Sequence, residues 1–214
     1  MQKGKIKAVA FDFGRVLHRW DKENVWRYLS TFTGHTPTEI EQVLSQLAKR
    51  HDSGDISSPD FFAEISRKAK LPEDLEYEEF RYIWQNIFSP NSGIEKVLRR
   101  IDPKVKRIVI SNTDPIHFAT IETLPVMKEF FPDPKQYVLS FRVGATKPDS
   151  RMWEAGLTLL GMEKAQAKEV LFIDDLMPYI ESARQFGFQA EQYDCTRDPI
   201  KRLKNILDSF GVLK

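Results

Sequence analysis

The chain has 214 residues, enough for one sizeable domain or for a domain with a substantial insertion. Its 32 basic and 31 acidic residues leave a formal charge of +1, which gives no electrostatic reason to expect nucleic acid or an anionic membrane as the partner. The single cysteine excludes an intrachain disulfide, no apolar run could span a bilayer, and the basic N-terminus lacks the apolar stretch of a signal peptide, so we expect a soluble, cytoplasmic protein.

The first predicted strand, residues 6–13, carries a carboxylate near its carboxyl end. The apolar run Ala8–Phe11 leads into Asp12, and Gly14 follows two residues later. Open α/β sheets carry out their chemistry at this edge, so Asp12 is a candidate functional residue. Taken alone, an aspartate after a strand is more often a turn or a helix cap.

The next part of the chain, from about residue 18 to residue 100, predicts helices and no strand. Apolar side chains recur at helical spacing over Val25–Phe32, and Thr36–Glu39 combines the cap, the proline and the glutamate of a helix start. Further helices are predicted from Ser58 and over residues 76–88, where aromatic side chains share one face. The pattern predicts an all-helical insertion.

Beyond residue 93, predicted strands and helices alternate. The strands are predicted near residues 105–111, 137–141, 170–174 and 188–193. The helices are predicted near residues 94–101, 115–124, 149–160, 178–186 and 199–210. Such alternation is typical of parallel strands with helical crossovers, so the predicted fold class is α/β, a doubly wound parallel-sheet (Rossmann-like) core with an inserted all-helical cap. We expect the core to comprise residues 1–17 and 96–214, and the helical cap to comprise residues 18–95.

Three later segments are each predicted to be a strand that ends in polar residues. These segments are Ile108–Asn112, Val143–Pro148 and Val170–Asp175. They would bring a hydroxyl, a lysine and an acidic pair to the edge of the sheet that also carries Asp12.

These residue types suit metal-dependent phosphoryl transfer. Asp12 can attack phosphorus only when the charge of the phosphate is neutralised, and Mg²⁺ held by Asp12, Asp174 and Asp175 would do so. Lys147 would place a positive charge on the phosphoryl oxygens, and Ser111 would donate a hydrogen bond to them. Each residue alone has a plainer reading as a turn, a cap or a solvated loop. The adjacent acids are the hardest to explain in that way, because their charges repel each other.

The four segments resemble the four motifs of the haloacid dehalogenase-like (HAD) hydrolase superfamily, most of whose members are phosphatases. Phe11–Leu17 resembles the first motif, Ile110–Asn112 the second, Lys147–Pro148 the third and Phe172–Asp175 the fourth. The helical insertion is similar to the small helical cap of that family. The resemblance extends over nearly the whole chain.

The resemblance also implies a metal site. Asp12 would be the nucleophile and a magnesium ligand, and the backbone carbonyl of Gly14 would face the metal. Asp174 would be another ligand, and Asp175 would be a ligand or an outer acid. The implied cofactor is therefore Mg²⁺.

By the same resemblance, Ser111 and Asn112 would bind phosphate and Lys147 would neutralise its charge. The chain departs from the family pattern at Gly14, where most phosphatases of the superfamily carry the aspartate that serves as general acid and base. It most resembles a subgroup that reads Asp-x-Gly-Asn-Val and includes phosphatases of the glucose-1-phosphatase type, although Arg15 replaces the asparagine. The substrate would then have a good leaving group, or the acid would come from the cap or from the substrate itself.

The predicted function is that of a magnesium-dependent phosphatase of a small phosphorylated metabolite, with sugar phosphates as one candidate class, acting through an aspartyl-phosphate. Two alternatives stay open: a catalytically weak binding or regulatory relative, and a metal-independent haloacid dehalogenase-type hydrolase. Residues 51–57 form a polar connection that either hangs over the entrance of the site or is a plain interhelical loop. The sequence names neither the substrate nor the oligomeric state.

Overall fold

The structure is a computed structural model that describes residues 5–21 and 23–214. Its strands are β1 (Ala8–Phe11), β2 (His18–Trp20), β3 (Phe88–Pro90), β4 (Lys106–Ser111), β5 (Tyr137–Leu139), β6 (Val170–Asp174) and β7 (Gln189–Gln192). Its α-helices are α1 (Glu23–Thr33), α2 (Pro37–Asp52), α3 (Ser58–Ala69), α4 (Tyr77–Gln85), α5 (Ile94–Leu98), α6 (Pro115–Ile121), α7 (Pro125–Phe130), α8 (Ser140–Val143), α9 (Ser150–Leu160), α10 (Met177–Phe186) and α11 (Ile200–Ser209). Residues 134–136 and 164–169 form short 3₁₀ turns.

Five parallel strands form the central sheet, in the order β5-β4-β1-β6-β7. The first strand of the chain is therefore the middle strand of the sheet, and every residue of β1 is buried. Parallel sheets are covered on both faces, which explains why β1 and β6 are continuous apolar runs. The predicted α/β fold with a doubly wound parallel sheet is confirmed.

Helices cover the two faces of this sheet and form two hydrophobic clusters. Side chains alternate along β1, so Val9 and Phe11 join the cluster built with α5, α6, α7 and α11. Ala8 and Ala10 join the opposite cluster, which is built with α9 and α10. The sheet is therefore a middle layer between two helical layers.

A two-stranded antiparallel ribbon corrects the prediction that no strand lies between about residues 18 and 100. In this ribbon β2 pairs with β3, with His18 opposite Pro90 and Trp20 opposite Phe88. Each strand has three residues, which is too short for a visible alternation, and β3 ends in a proline. The chain leaves the core through β2 and returns to it through β3.

Between these two strands lies the helical segment, which we define as α1 to α4. Its side chains form a third hydrophobic cluster, to which the core contributes Ile116. The start of α2 has the predicted capping box, with Thr36 Oγ1 accepting from Glu39 N and Glu39 accepting from Thr36 N. The cap of α3 is Ser57, one residue before the predicted start. The domain boundaries assigned from the sequence stay a prediction.

The segment Val143–Pro148 is not the end of a strand, so that prediction is wrong. Strand β5 ends at Leu139 and is followed by the helical turn α8, which stops at Gly144 with φ 72°. Lys147 then lies in the loop that precedes α9. The helix predicted near 115–124 is α6, and α7 follows it from Pro125 as a separate helix. No helix in the described ranges is both long and apolar enough to cross a membrane.

Candidate active site

Three strand ends place polar side chains at one edge of the sheet. Phe11 pairs with Val109 of β4 and with Ile173 of β6, so the three strands end level with one another. Asp12 directly follows β1, and its backbone N–H donates to the carbonyl of Ile173 at 2.8 Å. The polar ends of the neighbouring strands therefore flank Asp12, as expected for a parallel sheet.

Lys147 reaches this edge from its loop and joins two of the carboxylates. Its Nζ lies 2.7 Å from Asp12 Oδ1 and 2.6 Å from Asp174 Oδ2, and the residue is only 3 % exposed. Burial alone would lower the pKa of the Lys147 ammonium, but the two carboxylates outweigh burial and raise that pKa above its ordinary value. Lys147 is therefore a fixed positive charge at the candidate site.

Asp12, Asp174 and Asp175 form a compact acidic group. Each offers a carboxylate oxygen, and these atoms all lie within 4.8 Å of one another. Burial raises the pKa of Asp12 to about 6, an effect that Lys147 opposes and the charge of Asp174 reinforces. Burial and the two neighbouring carboxylates raise the pKa of Asp175 to about 7. Three hard oxygen donors with unfavourable mutual repulsion fit a divalent cation such as Mg²⁺.

Asn112 holds the lysine loop in place. Its Oδ1 accepts from the backbone N–H of Lys147 at 2.8 Å, and its Nδ2 donates to the carbonyl of Lys147 at 3.2 Å. The side chain of Asn112 is therefore directed at the loop. The hydroxyl of Ser111 lies 3.5 Å from the carbonyl oxygen of Asn112, which is too long for a strong hydrogen bond, so the hydroxyl can serve another acceptor.

Arg15 connects the acidic group to a loop near the end of the chain. Its backbone is left-handed, with φ 57°, and its Nη2 lies 2.6 Å from Asp194 Oδ2. Its Nε lies 3.5 Å from Asp175 Oδ2. Arg15 is therefore paired with acidic side chains. Asp194 was not recognised from the sequence, because nothing local links it to a residue 179 positions earlier.

Gly14 lies beside the nucleophile candidate and next to Trp20. A Cβ built on Gly14 would lie 3.9 Å from Asp12 Oδ2, 3.7 Å from Trp20 Cβ and 3.9 Å from Trp20 Cγ. These are ordinary van der Waals contacts, and the φ of Gly14 is not positive. Neither the backbone nor the available space therefore requires glycine at this position.

A buried polar cluster lies where the helical segment meets the core, and we call it the seam cluster (His51, Asp52, Trp84, Asp114 and His117). Trp84 Nε1 donates to Asp114 Oδ2 at 3.0 Å, and His117 Nδ1 lies 2.6 Å from the same oxygen. His117 Nε2 lies 2.8 Å from the carbonyl oxygen of Trp84. His51 Nδ1 is 3.8 Å from Asp114 Oδ1. Asp114 also caps α6, because its Oδ1 accepts from the amides of residues 116 and 117.

The seam cluster also shifts the protonation of its members. Burial would raise the pKa of Asp114, but His117 outweighs burial and holds that pKa well below its ordinary value. Burial would lower the pKa of His117, and Asp114 in turn raises it. Burial, with the charge of Asp114, raises the pKa of Asp52 to about 7. Asp114 and His117 therefore form an ion pair on the core side, and Trp84 of α4 bonds both of them.

The loop of residues 51–57 packs against the core. A Cβ on Gly54 would lie 2.5 Å from the carbonyl oxygen of Phe141, so the backbone of the loop directly contacts α8. Helix α8 is also tied to the loop after β4, because Ser140 Oγ bonds both the N–H and the carbonyl of Thr113. The loop thus touches the part of the chain that leads to Lys147.

No protein-family model and no curated protein matches the sequence. Solved structures do match the fold. A predicted HAD-like family hydrolase from Porphyromonas gingivalis superposes with a TM-score of 0.77 at 24% identity, over 95% of this chain and 98% of that one. The HAD family enzyme BT-2542 from Bacteroides thetaiotaomicron, in complex with magnesium and inorganic phosphate, gives a TM-score of 0.70 at 20% identity, over 90% of this chain and 96% of that one.

A third similar structure is an L-2-haloacid dehalogenase from Xanthobacter autotrophicus. It superposes with a TM-score of 0.63 at 20% identity, over 95% of this chain and 83% of that one. The three proteins share the arrangement of strands and helices over almost the whole length of this chain. The chain therefore has the fold of the haloacid dehalogenase-like enzymes.

Proposed function

We propose that the protein is a magnesium-dependent phosphohydrolase that acts on small phosphorylated metabolites through Asp12. The observation that carries this proposal is the position of Lys147, whose Nζ lies 2.7 Å from Asp12 and 2.6 Å from Asp174, beside a third carboxylate. A nucleophilic carboxylate, a fixed cation and oxygen donors for a metal are the groups that phosphoryl transfer needs.

In the first step, a carboxylate oxygen of Asp12 forms a bond to phosphorus. The bond between phosphorus and the leaving oxygen breaks, and that oxygen keeps the electron pair and takes a proton from water. In the second step, a water oxygen bonds to phosphorus and the bond between phosphorus and Asp12 breaks. Inorganic phosphate is released, a proton of the attacking water passes to solvent, and Asp12 returns as a carboxylate. Bound Mg²⁺ would offset the charge that otherwise keeps a carboxylate away from a phosphoryl group.

The remaining residues of the site fit supporting roles. Asp174 and Asp175 supply hard oxygen donors for Mg²⁺, and we assign the carbonyl of Gly14 to the same site from the family resemblance. Ser111, which ends β4 beside Asp12, would donate to a phosphoryl oxygen. We assign Asn112 a phosphate-binding role through its backbone only, because its side chain holds the loop of Lys147. The likeness to BT-2542, which has been crystallised with magnesium and inorganic phosphate, supports this assignment.

We also infer that the helical segment is the substrate-selecting cap, with residues 18–95 as its extent. Its side chains form a hydrophobic cluster of their own, and its contacts with the core include the seam cluster and the approach of Gly54 to Phe141. Specificity for sugar phosphates, as in the glucose-1-phosphatase type, is one candidate within this proposal.

The test is magnesium-dependent release of inorganic phosphate from a panel of phosphorylated sugars, nucleotides and acyl phosphates. Asp12→Asn should abolish release, because an amide is not a nucleophile at phosphorus. Asp208→Asn is the matched control, because this aspartate is exposed on α11, away from the edge of the sheet that carries Asp12. Equal activity of the Asp12→Asn variant and the control would contradict the proposal.

Gly14 supports a second candidate function, in which the protein binds a phosphorylated ligand or a partner and turns over weakly. Glycine cannot protonate a leaving oxygen, and the structure leaves room there for a larger side chain that the chain does not use. Retained ligand binding without phosphate release would favour this candidate. Halide release without metal would instead favour a dehalogenase, which shares the fold.

A further inference from the structure

We propose that Trp20 is the surface on which the leaving group of the substrate rests, and that the preferred substrates are small aryl phosphates with a flat ring on the leaving oxygen. The inference depends on the proposed phosphohydrolase function and names the substrate class of that site. Four features of the described residues lead to it: the position of Trp20, the hydrogen-bonded ribbon that carries it, the exposed apolar side chains that follow the acidic pair and the absence of a side chain on Gly14.

Trp20 lies next to the nucleophile candidate. The point where a side chain of Gly14 would begin is 3.9 Å from Asp12 Oδ2 and 3.9 Å from Trp20 Cγ. Asp12 Oδ2 and Trp20 Cγ are therefore separated by no more than two van der Waals contacts at Gly14. A group attached to a phosphoryl centre at Asp12 would lie within reach of this indole.

The indole is accessible, and the strand that carries it is held in place. Trp20 is 36 % exposed, although it is a large aromatic residue in a short, paired strand. Its strand partner Phe88 packs edge-on against Phe13 at 5.3 Å between ring centroids, and the N–H of Asp21 donates to the carbonyl of Ile87 at 3.0 Å. A preorganised aromatic face loses little conformational entropy when a ligand stacks on it.

The side chains next to the acidic group favour an aromatic group over a sugar. Leu176 and Met177, directly after the acidic pair, are 43 % and 40 % exposed. Two polar side chains of the site are already bound to protein groups: Arg15 to Asp194 at 2.6 Å, and Asn112 to the backbone of Lys147. A sugar needs several polar partners for its hydroxyls, whereas a phenyl ring needs apolar and aromatic contacts.

The chemistry of the leaving group points in the same direction. When Asp12 bonds to phosphorus, the leaving oxygen departs with an electron pair, and Gly14 has no side chain that could donate a proton. A phenol ionises near pH 10, as the side chain of tyrosine does, so a phenolate departs without help far more readily than an alkoxide. An aryl phosphate therefore satisfies both the indole surface and the missing acid.

Binding of phosphonates, which are not hydrolysed, tests the stacking surface apart from turnover. Phenylphosphonate and cyclohexylphosphonate have rings of similar size, and only phenyl is flat and aromatic. Titration calorimetry with the magnesium-loaded protein should show tighter binding of phenylphosphonate. Trp20→Leu should weaken phenylphosphonate binding by about 3- to 10-fold and leave methylphosphonate unchanged, and Trp20→Phe should restore most of the affinity. Tyr82→Leu is the control, because Tyr82 is 67 % exposed on α4.

Turnover of substituted phenyl phosphates and of acetyl phosphate completes the test. The ratio kcat/KM, which reports the step in which the phenol leaves, should fall steeply as the pKa of the phenol rises, because no side chain at Gly14 protonates it. Equal affinity for phenylphosphonate and cyclohexylphosphonate, unaltered by Trp20→Leu, would overturn the inference. A rate that does not depend on the pKa of the leaving phenol would also overturn it. Hydrolysis of acetyl phosphate alongside either result would leave the proposed function standing. Failure to release phosphate from any ester would refute the proposed function itself.

Discussion

Replacing Lys147 with methionine removes the positive charge that pairs with Asp12 and Asp174, and it keeps a side chain of similar length. Lys147 is 3 % exposed, and its Nζ lies 2.7 Å from Asp12 Oδ1 and 2.6 Å from Asp174 Oδ2. Removing one partner of a buried ion pair leaves an uncompensated charge and costs about 3–5 kcal/mol. With a urea m-value of about 3 kcal/mol per M, the unfolding midpoint of metal-free protein should fall by about 1–2 M.

The loss should also depend on pH, and its sign follows from Asp12. Burial raises the pKa of Asp12 to about 6 while Lys147 opposes the rise, so Lys147→Met raises that pKa further. Such a carboxylate has a higher pKa in the folded protein than in the unfolded protein. At low pH it is protonated in both states and has no cost, and it destabilises the fold as the pH rises from the unfolded pKa to the folded pKa. The difference in unfolding free energy between wild type and variant should therefore be larger at about pH 8 than at about pH 5, by about 1.4 kcal/mol per pH unit for each additional proton retained.

Lys106→Met is the matched control for this measurement. Its Nζ donates to the carbonyl oxygen of Leu160 at 2.7 Å, but Lys106 lies at the start of β4, away from the acidic group. We expect a loss of about 1 kcal/mol, because one hydrogen bond to a neutral acceptor is removed. The reasoning is refuted if the two variants unfold at the same urea concentration, or if the loss in Lys147→Met is the same at both pH values.

Three further predictions follow from glycines and from the seam cluster. Gly14→Asp should raise kcat for alkyl phosphates by about 10- to 100-fold and hardly alter 4-nitrophenyl phosphate, because the added acid helps poor leaving groups; equal acceleration of both esters would contradict this. Gly54→Ala should lose at least about 2 kcal/mol in urea unfolding, because its φ is +77° and the new Cβ meets a carbonyl oxygen at 2.5 Å. Gly34→Ala, with φ +70° and nothing within 4 Å, should lose only about 1 kcal/mol, and similar losses would show that the close approach is unimportant. His117→Gln should cost about 3 kcal/mol at about pH 6, where His117 is protonated and paired with Asp114, because its pKa is raised in the folded protein. The cost should shrink as the pH rises through that raised pKa and His117 loses its proton; a cost that does not fall at high pH would argue against the ion pair.

The core of the fold was predictable because its signals are local. Strands buried on both faces must be continuous apolar runs, and β1 and β6 are such runs. The start of α2 was also readable, since the capping box of Thr36 and Glu39 uses residues three positions apart. The elements that the sequence did not reveal, β2, β3 and α8, have three or four residues each, fewer than a periodic pattern needs.

The candidate site was predictable only in part, for a related reason. The residues at the ends of β1, β4 and β6 lie where a parallel sheet must put them, so Asp12, Ser111 and Asp174 follow from the strand assignment. Lys147 lies in a loop whose path depends on the helical turn α8 and on the hydrogen bond from its backbone N–H to Asn112. Tertiary pairing of this kind leaves no trace in residue spacing. Lys147 was therefore placed at this edge through a strand end that the structure does not contain, and through the family resemblance.

Pairs of residues that lie far apart in the chain could not be predicted from the sequence. The hydrogen bonds between Arg15 and Asp194 join residues 179 positions apart, and the bond from Trp84 to Asp114 joins residues 30 positions apart in different parts of the fold. A buried His117 gives no sequence signal that separates it from a solvated one. The charge arrangement around the site therefore had to come from coordinates.

The antiparallel ribbon links ligand binding to the position of the helical segment. Both connections of that segment run side by side through β2 and β3, so a rotation of the segment bends the two strands together and carries Trp20 with them. A compound that contacts both the indole and the helical segment would bind most tightly to one position of that segment, and by linkage it would stabilise that position.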